Sequence, residues 1–253
     1  MANPVTLITG ASSGLGRLFA RACAARGDRV ALVARRKNRL NKLAEELGPD
    51  TIIITEDLSD YDAADAIVEA IEDEETYVGT LINNAGFGAR GEFQNLAIGD
   101  QTDMLQVNAI AVTQLCHRVI PAMIAVGGGS ILNVASTAAF QAGPGMAVYY
   151  ASKAFVLSLS EALHEELMPH NIAVTALCPG ATKTEFAYRA DMAETTLFEK
   201  FAGEPEAVVK AGLDGLAKNK AIVVPGFLNK AMVQSNRVTP RSVTRELVKL
   251  LQR

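Results

Sequence analysis

Residues 5–16 read VTLITGASSGLG, an apolar run that ends in a glycine-rich loop. Its three glycines are spaced GxxxGxG, and the residues that follow have helical periodicity. Glycine permits positive φ and lets the backbone approach a ligand closely, and the free N–H groups of a following helix attract a pyrophosphate. A plain strand-to-helix turn has the same pattern, but the position after the first strand favours a dinucleotide loop. The residues assigned to it are Gly10, Ser12, Ser13, Gly14, Leu15 and Gly16.

Short apolar runs alternate with helical patterns along the rest of the chain. This alternation predicts a parallel sheet of right-handed βαβ units, and continuously apolar strands indicate helices on both faces. We therefore expect α/β architecture: one Rossmann-type, doubly wound domain of about seven strands spanning the whole chain. Its ligand is expected beyond the carboxyl ends of the strands. The predicted strands are residues 5–9, 30–34, 51–54, 80–83, 130–134, 173–178 and 222–224.

The second predicted strand indicates which dinucleotide fits. An acidic residue near its end would bind the ribose 2′-hydroxyl of NAD, but Ala34 stands there and Arg35 and Arg36 follow. Arginine donates paired hydrogen bonds that match a phosphate. The sequence therefore predicts NADP(H) rather than NAD(H). Alternatively, the two arginines begin a solvated helix face that also carries Lys37 and Arg39.

Composition excludes several other classes of function. The formal net charge is −4, which offers no electrostatic footprint for nucleic acid. The three cysteines and three histidines show no metal-ligand spacing, so no metal is expected. Widely spaced cysteines suit a reducing cytosol, and the sequence has neither a signal-peptide pattern nor a run of ~18 apolar residues. We expect a cytoplasmic protein without a membrane span.

The stretch YYASK, residues 149–153, places a phenol and an ammonium on one helix face. An aromatic residue beside a snorkelling lysine on an ordinary helix would have the same spacing. Other motifs make the pair more specific. They are NNAG after the fourth strand, Asn108 on the next helix, Ser136 after the fifth strand and the PG loop after the sixth.

Taken together, these motifs resemble the short-chain dehydrogenase/reductase family in its branch of roughly 250 residues. The resemblance runs from about residue 6 to about residue 224 and identifies Tyr149, four residues before Lys153, as the family's tyrosine. It implies catalytic roles for Asn108, Ser136, Tyr149 and Lys153. Lys153 would also bind the nicotinamide ribose, and Asn108 would hold a water in a proton relay. Tyr150 is expected to pack or to line the pocket edge.

Elementary chemistry supports these roles. A free phenol has a pKa of ~10, and an ammonium about 4 Å away favours the phenolate by up to ~4 kcal/mol at an effective dielectric of ~20. Lys153 is therefore expected to lower the pKa of Tyr149, which would then exchange a proton with a carbonyl or alcohol oxygen. Ser136 would donate a hydrogen bond to the same oxygen.

The resemblance implies further cofactor contacts. Asp57 with Leu58 would contact the adenine, although Asp57 also suits the N-terminus of a helix. The other implied positions shape the cofactor channel or contact the carboxamide and pyrophosphate: Asn84, Ala85, Gly86, Pro179, Gly180, Thr182 and Thr184.

Two segments of the C-terminal third each have two interpretations. Residues 184–204 have apolar side chains suited to a substrate lid, or to ordinary helix packing: Phe186, Tyr188, Met192, Leu197, Phe198 and Phe201. Residues 227–253 form a basic amphipathic tail, for which we expect packing or subunit contact rather than membrane association.

These features predict an NADP(H)-dependent oxidoreductase that interconverts a carbonyl, expected to be hydrophobic, and an alcohol. Reduction of a 3-oxoacyl thioester on a carrier protein is a related alternative, which requires a basic patch near the pocket. A non-enzymatic dinucleotide sensor is a third reading, although all the catalytic hydroxyls are present. By analogy with the family, we expect a homodimer or homotetramer.

Overall fold

The computed structural model describes residues 3–72, 76–190, 192, 195 and 202–251. Its strands are β1 (Asn3–Thr9), β2 (Val30–Val33), β3 (Ile52–Ile54), β4 (Thr76–Asn83), β5 (Gly129–Val134), β6 (Ile172–Leu177) and β7 (Ile222–Val223). Its helices are α1 (Gly14–Ala24), α2 (Lys37–Leu47), α3 (Ala63–Glu72), α4 (Ile98–Leu105), α5 (Ala111–Val126), α6 (Ala147–Leu167), α7 (Glu185–Arg189), α8 (Pro205–Ala217), α9 (Phe227–Ser235) and α10 (Arg241–Leu251).

The seven strands form one parallel sheet in the order β3-β2-β1-β4-β5-β6-β7. The order reverses between β1 and β4, which are neighbours although two strands separate them in sequence. This is the doubly wound Rossmann-type fold that the sequence predicts. Because all strands run the same way, the loops that leave their carboxyl ends meet at one edge of the sheet.

All seven predicted strands are present, but β4 begins at Thr76, before the predicted residue 80. Gly79 interrupts the apolar run of this strand in the sequence. Because glycine is depleted in strands, the strand was predicted to begin after it. In the fold, Gly79 lies against β1: an added Cβ would approach the Cβ of Pro4 to 2.8 Å. The register of the two strands shifts between Val5 and Thr6, beside this contact.

Alternate residues of each strand enter two separate hydrophobic cores. Leu7 belongs to the core formed with α3, α5 and α6, whereas its neighbour Ile8 packs with Phe19 of α1. Both side chains are fully buried. Helices on both faces therefore explain why the strands are apolar at consecutive positions.

One helical stretch, Ile98–Val126, is long and apolar enough to cross a membrane by length and composition. It comprises α4, a π-helical turn (Gln106–Ile110) and α5. Several of its side chains, among them Leu115 and Met123, are buried in the core beneath the sheet. That is the position of a core helix, and the absence of a membrane span stays a prediction.

Candidate active site

A cleft of about 530 Å³ opens at the carboxyl edge of the sheet. The loops that follow each of the first six strands contribute to its wall. Of the predicted site residues, all but Gly16 and Asn108 line it, and these two lie directly behind lining glycines. The fold thus brings the glycine loop, the two arginines, and the serine, tyrosine and lysine into one continuous cleft.

The glycine loop adopts a conformation that needs its glycines. Gly10 and Gly14 have φ of 68° and 50°, in the left-handed region. An added Cβ at Gly16 would lie 2.3 Å from the carbonyl oxygen of Gly10. Ser13 occupies the N-cap position of α1 but makes no side-chain capping bond. The first N–H groups of α1 therefore remain available to a pyrophosphate, and the loop fits a dinucleotide.

The loop is fixed to the neighbouring β4 strand at the reversal of strand order. The Thr9 hydroxyl accepts hydrogen bonds from the backbone N–H groups of Asn84 and Ala85, both at 3.0 Å. The Asn84 amide donates to the Thr9 carbonyl at 2.8 Å. These bonds fix the two loops between which the cofactor would lie.

Arg36 folds back onto the glycine loop and does not begin a solvated helix face. Its Nε and one terminal nitrogen donate to the Ser12 hydroxyl at 3.1 and 2.9 Å, and the same terminal nitrogen donates to Ser13 at 2.8 Å. Its other terminal nitrogen donates to Glu185 at 3.2 Å. The guanidinium thus sits where an anion bound at this end of the cleft would meet it.

Arg35 reaches the predicted adenine contact instead. One of its terminal nitrogens lies 3.2 Å from Asp57, whose other carboxylate oxygen accepts the Ser59 N–H at 3.1 Å. Burial raises the pKa of the Asp57 carboxyl, but these hydrogen bonds outweigh burial and hold that pKa below its ordinary value. Asp57 is therefore charged at neutral pH, and the adjacent Leu58 is buried.

Asn108 lies in the π-helical turn and is fully buried. Its amide accepts from the Phe87 N–H at 3.1 Å and donates to the Phe87 carbonyl at 2.9 Å and to Ser152 at 3.1 Å. An added Cβ at Gly86 would lie 3.0 Å from Asn108 Oδ1 and 3.2 Å from Lys153 Nζ. The residue thus fixes the NNAG loop directly beside Lys153.

Lys153 is buried on α6, 5% exposed, and its ammonium donates to the Val134 carbonyl at 2.9 Å. Burial lowers its pKa to about 8. Its Nζ lies 6.0 Å from the centroid of the Tyr149 ring. A lysine that loses its proton near neutrality is suited to proton transfer.

The pKa of Tyr149 differs from the sequence expectation. Burial raises this pKa above its ordinary value, and the Ser136 side chain opposes the rise only in part. The expected lowering of this pKa by Lys153 was wrong, because desolvation of the phenol dominates and the Lys153 ammonium donates to the Val134 carbonyl instead. Tyr149 is therefore a neutral phenol and a hydrogen-bond donor at neutral pH.

Ser136 ends the loop after β5 and caps the short 3₁₀ turn Thr137–Phe140. Its hydroxyl accepts from the Ala138 N–H at 3.1 Å and donates to the Pro179 carbonyl at 3.4 Å. The PG loop continues past this point with Gly180, where an added Cβ would meet the Asn229 side chain of α9 at 2.5 Å. Thr184 lies at the end of this loop, and a Cβ added at Gly14 would lie 3.4 Å from the Thr184 Cβ.

The two C-terminal helices close the cleft beyond the reacting residues. Thr244 and Val248 of α10 are buried facing it, and Met232 of α9 joins the same wall. The tail therefore packs against its own chain, as expected, but its share in the cleft was not predicted. A basic amphipathic pattern identifies an apolar face, and it does not say what that face covers.

Several other residues of the cleft were not predicted, and part of the predicted lid lies outside the described residues. The Asn236 amide donates to the Gln141 side chain, which joins α9 to the loop after Ser136. Tyr150 lines the cleft, as predicted. Of the predicted lid, Phe186 and Met192 line it as well, whereas Leu197, Phe198 and Phe201 lie outside the described residues, as does the side chain of Tyr188.

Comparison with known proteins gives a consistent result. Residues 4–195, more than half of the chain, match the short chain dehydrogenase family. A sulfoacetaldehyde reductase of Chromohalobacter salexigens is 42% identical over 183 residues, 71% of this chain and 72% of that protein.

Two solved structures illustrate the similarity of fold. A short-chain dehydrogenase from Sphingobium yanoikuyae in complex with NADPH has a TM-score of 0.83 and 33% identity, covering 95% of this chain and 94% of that chain. A 3-ketoacyl-(acyl-carrier-protein) reductase from Brucella melitensis complexed with NADH has a TM-score of 0.78 and 29% identity, covering 88% and 96%. With the glycine loop and the Ser136, Tyr149 and Lys153 cluster in one cleft, the chain belongs to the short-chain dehydrogenase/reductase family and is an NAD(P)-dependent oxidoreductase.

Proposed function

We propose that the protein is an NADP(H)-dependent enzyme that interconverts an uncharged, hydrophobic carbonyl compound and its alcohol. One observation carries this proposal: Tyr149, Ser136 and Lys153 line the same cleft as the glycine loop and Arg36. The first three are the groups that a carbonyl reduction needs, and the loop with its arginine suits a phosphorylated dinucleotide.

Tyr149 is the proposed general acid and base. The bound nicotinamide supplies or accepts the hydride. As a neutral phenol, Tyr149 donates a proton to the carbonyl oxygen during reduction and becomes the phenolate. In the reverse reaction the phenolate takes the proton from the alcohol. The Ser136 hydroxyl donates a hydrogen bond to the same oxygen, which stabilises its developing charge. Lys153, whose pKa is about 8, passes the proton onward, and Asn108 holds the adjoining loop in place.

The preference for NADP(H) rests on Arg36 and on the absence of an acid at Ala34. Arg36 donates to both loop serines, and its other terminal nitrogen donates to the Glu185 carboxylate at the same end of the cleft. Arg35 lies close by and pairs with Asp57. The glycine loop, Asn84 to Gly86 and the PG loop would hold the rest of the cofactor. The NADPH complex of a relative from Sphingobium yanoikuyae supports this choice.

The substrate class follows from the lining of the cleft. Phe186, Met192, Met232 and Val248 make its far wall apolar. Within the described lining, the cations are Arg35, Arg36 and Lys153, and five carboxylates are present: Glu56, Asp57, Asp100, Asp103 and Glu185. An anionic carbonyl therefore finds little compensation in the described wall, whereas an uncharged hydrophobic one gains by burial. The sulfoacetaldehyde reductase relative supports carbonyl reduction, although its named substrate is anionic.

The first test is a titration of the protein with NADPH and NADH, followed by nicotinamide fluorescence at fixed salt. We expect tighter binding of NADPH, and a preference that disappears when Arg36 is changed to Gln. Equal or tighter binding of NADH would contradict the proposed cofactor preference and leave the catalytic proposal standing.

A panel of aldehydes and ketones then tests the reaction with the preferred cofactor. We expect turnover of hydrophobic carbonyls and a loss of about 10²–10⁴-fold in Tyr149→Phe, with cofactor affinity kept. Full activity in that variant would contradict the assigned role. Turnover in the wild-type protein would also exclude a sensor without activity.

A second candidate substrate is a 3-oxoacyl thioester on a carrier protein. The basic patch that this reading requires is present: Arg241, Arg245 and Lys249 are exposed on α10, whose other face lines the cleft. These cations make no ion pair with the described residues. The position of the patch beside the cleft favours an acidic carrier.

Matched variants distinguish this candidate. Changing Arg241, Arg245 and Lys249 to Gln should raise the KM for a carrier-bound 3-oxoacyl thioester and leave that for the free thioester unchanged. The same triple change at Arg26, Lys218 and Lys220, which are exposed outside the cleft, is the control. Equal turnover of both thioester forms by wild type and variant would exclude a carrier.

We also propose a cytoplasmic location and a homo-oligomeric assembly. All three cysteines are buried free thiols, which suits a reducing cytoplasm. A homodimer or homotetramer would place exposed apolar side chains of α5 and α6, such as Ile124 and Phe155, in an interface. Light scattering of the purified protein measures the mass directly.

A further inference from the structure

Glu185 forms an ion-pair cluster with two arginines from the opposite wall of the cleft. Arg36 donates to one of its carboxylate oxygens at 3.2 Å, and Arg39 donates to both oxygens at 2.8 and 2.9 Å. Glu185 is the first residue of α7, after the PG loop, whereas both arginines lie at the start of α2. The cluster therefore joins the two sides of the cleft at its cofactor end.

The carboxylate occupies donors that a phosphate would use. The remaining nitrogens of Arg36 are engaged with Ser12 and Ser13, so the donor that points to an anion is the one bound to Glu185. Carboxylate and phosphate are both matched by the guanidinium fork, and they compete for it directly. Glu185 also lines the cleft, as Arg36 and Ser12 do.

Glu185 is ionised under ordinary conditions. Burial raises the pKa of its carboxyl, but hydrogen bonds from Arg36 and Arg39 outweigh burial and lower it below the ordinary value. The Glu185 side chain is 46% exposed, so water can solvate its carboxylate when it leaves the arginines. A negative charge thus stands at the proposed 2′-phosphate site, and it repels a second anion.

We propose that Glu185 is a cofactor-specificity residue that competes with the 2′-phosphate of NADP(H) for Arg36 and Arg39. This inference rests on the proposed binding of a 2′-phosphate at Arg36. NADPH displaces the carboxylate, and NADH leaves the ion pairs in place. Glu185 therefore weakens the preference for NADPH that the arginines alone would give. The next residue, Phe186, lies against Tyr149, so the ion-pair cluster is adjacent in sequence to the wall of the substrate site.

The test is Glu185→Gln, which keeps the size of the side chain and removes its charge. We expect the Kd for NADPH to fall by about 2- to 5-fold, the effect of losing a partly exposed ion pair, while the Kd for NADH changes by less than twofold. The gain should shrink at high salt, which screens exposed charges. Calorimetry with 2′,5′-ADP and 5′-AMP tests the 2′-phosphate without the nicotinamide. Glu185→Gln should change the ratio of these two Kd values as it changes the ratio for NADPH and NADH.

Glu204→Gln is the matched control. Glu204 pairs with Lys183 in the same segment of the chain, and it does not line the cleft. This variant should leave both affinities unchanged. A loss of affinity for both cofactors in Glu185→Gln, or an equal change for both, would overturn the inference and assign Glu185 a structural role.

The two proposals fail in different measurements. The ratio of the two affinities in the wild-type protein tests the cofactor preference. The change of that ratio on Glu185→Gln tests the competition, whatever the starting ratio. An NADPH-selective wild type with an unchanged ratio in the variant would overturn the inference alone.

Discussion

The ring of Phe186 lies against the ring of Tyr149, with centroids 5.4 Å apart and planes inclined by 43°. A residue of the proposed lid thus forms the wall nearest to the proposed acid. The two side chains, together with Tyr150, Met146 and Val248, belong to a small hydrophobic cluster that is separate from the two main cores. Substrate would have to pack against this cluster.

Phe186→Ala should therefore affect substrate more than cofactor. We expect kcat/KM for a bulky hydrophobic ketone to fall about tenfold, because an apolar contact in the pocket is lost. The Kd for NADPH should stay within twofold. Phe93→Ala, at an exposed position outside the cleft, is the control. Unchanged kinetics with every bulky ketone tested would contradict a substrate contact.

Ser136→Ala tests stabilisation of the reacting oxygen. Losing one hydroxyl donor should lower kcat by about 10²–10³-fold. Cofactor affinity should persist, since the glycine loop and Arg36 are untouched. Ser158→Ala, on the exposed face of α6, should have wild-type kinetics. A wild-type kcat in the Ser136 variant would remove this residue from the mechanism.

Lys153 makes stability depend on pH. Its pKa of about 8 lies below the ordinary value of 10.5, so the unfolded chain binds more protons between these two pH values. Stability therefore rises with pH through this window. Relative to Lys153→Met, the wild type should gain about 2 kcal/mol in free energy of unfolding between pH 7.5 and pH 9.5. Urea unfolding of both proteins at the two pH values measures this difference.

The comparison with the methionine variant isolates Lys153 from other titrating groups. The buried thiols have pKa values raised to about 12 and act in the opposite direction, but they are common to both proteins. A constant difference between the two proteins across the window would show that Lys153 titrates near its ordinary pKa.

Gly16→Ala should abolish dinucleotide binding. The added methyl would lie 2.3 Å from the Gly10 carbonyl oxygen, so the loop must shift. Such a shift moves the backbone groups that would bind the pyrophosphate. Gly99→Ala is a suitable control, since a Cβ there meets nothing within 4 Å and alanine favours the helix α4. NADPH titration of the two variants gives the answer, and normal binding by Gly16→Ala would contradict the assignment of the loop.

Much of the fold could be predicted because its signals are local. The apolar runs of β1, β2 and β5 and the glycines after β1 are adjacent in sequence, and the strand-and-helix alternation leaves few topologies. The start of β4 was missed because Gly79 interrupts its pattern. Its fit against Pro4 depends on a neighbour more than seventy residues away in the chain, which no local pattern reveals.

The residues of the proposed site could be predicted from the sequence. Their burial, their partners and the resulting pKa values could be predicted much less well. The raised pKa of Tyr149 depends on how completely the fold removes water from the phenol, which the spacing of YYASK does not contain. The pairing of Arg36 with Glu185 joins residues 149 positions apart. Thr244 and Val248 face the cleft because of how α10 packs, and its amphipathic pattern alone does not specify this partner.

The walls of the cleft come from both ends of the chain, from Gly10 in the first loop to Val248 in the last helix. During synthesis the N-terminal half leaves the ribosome first. The strands and loops that would hold the dinucleotide emerge before α9 and α10, which enclose the substrate end. The residues of the proposed nucleotide-binding walls are thus synthesised well before the two helices that enclose the substrate end.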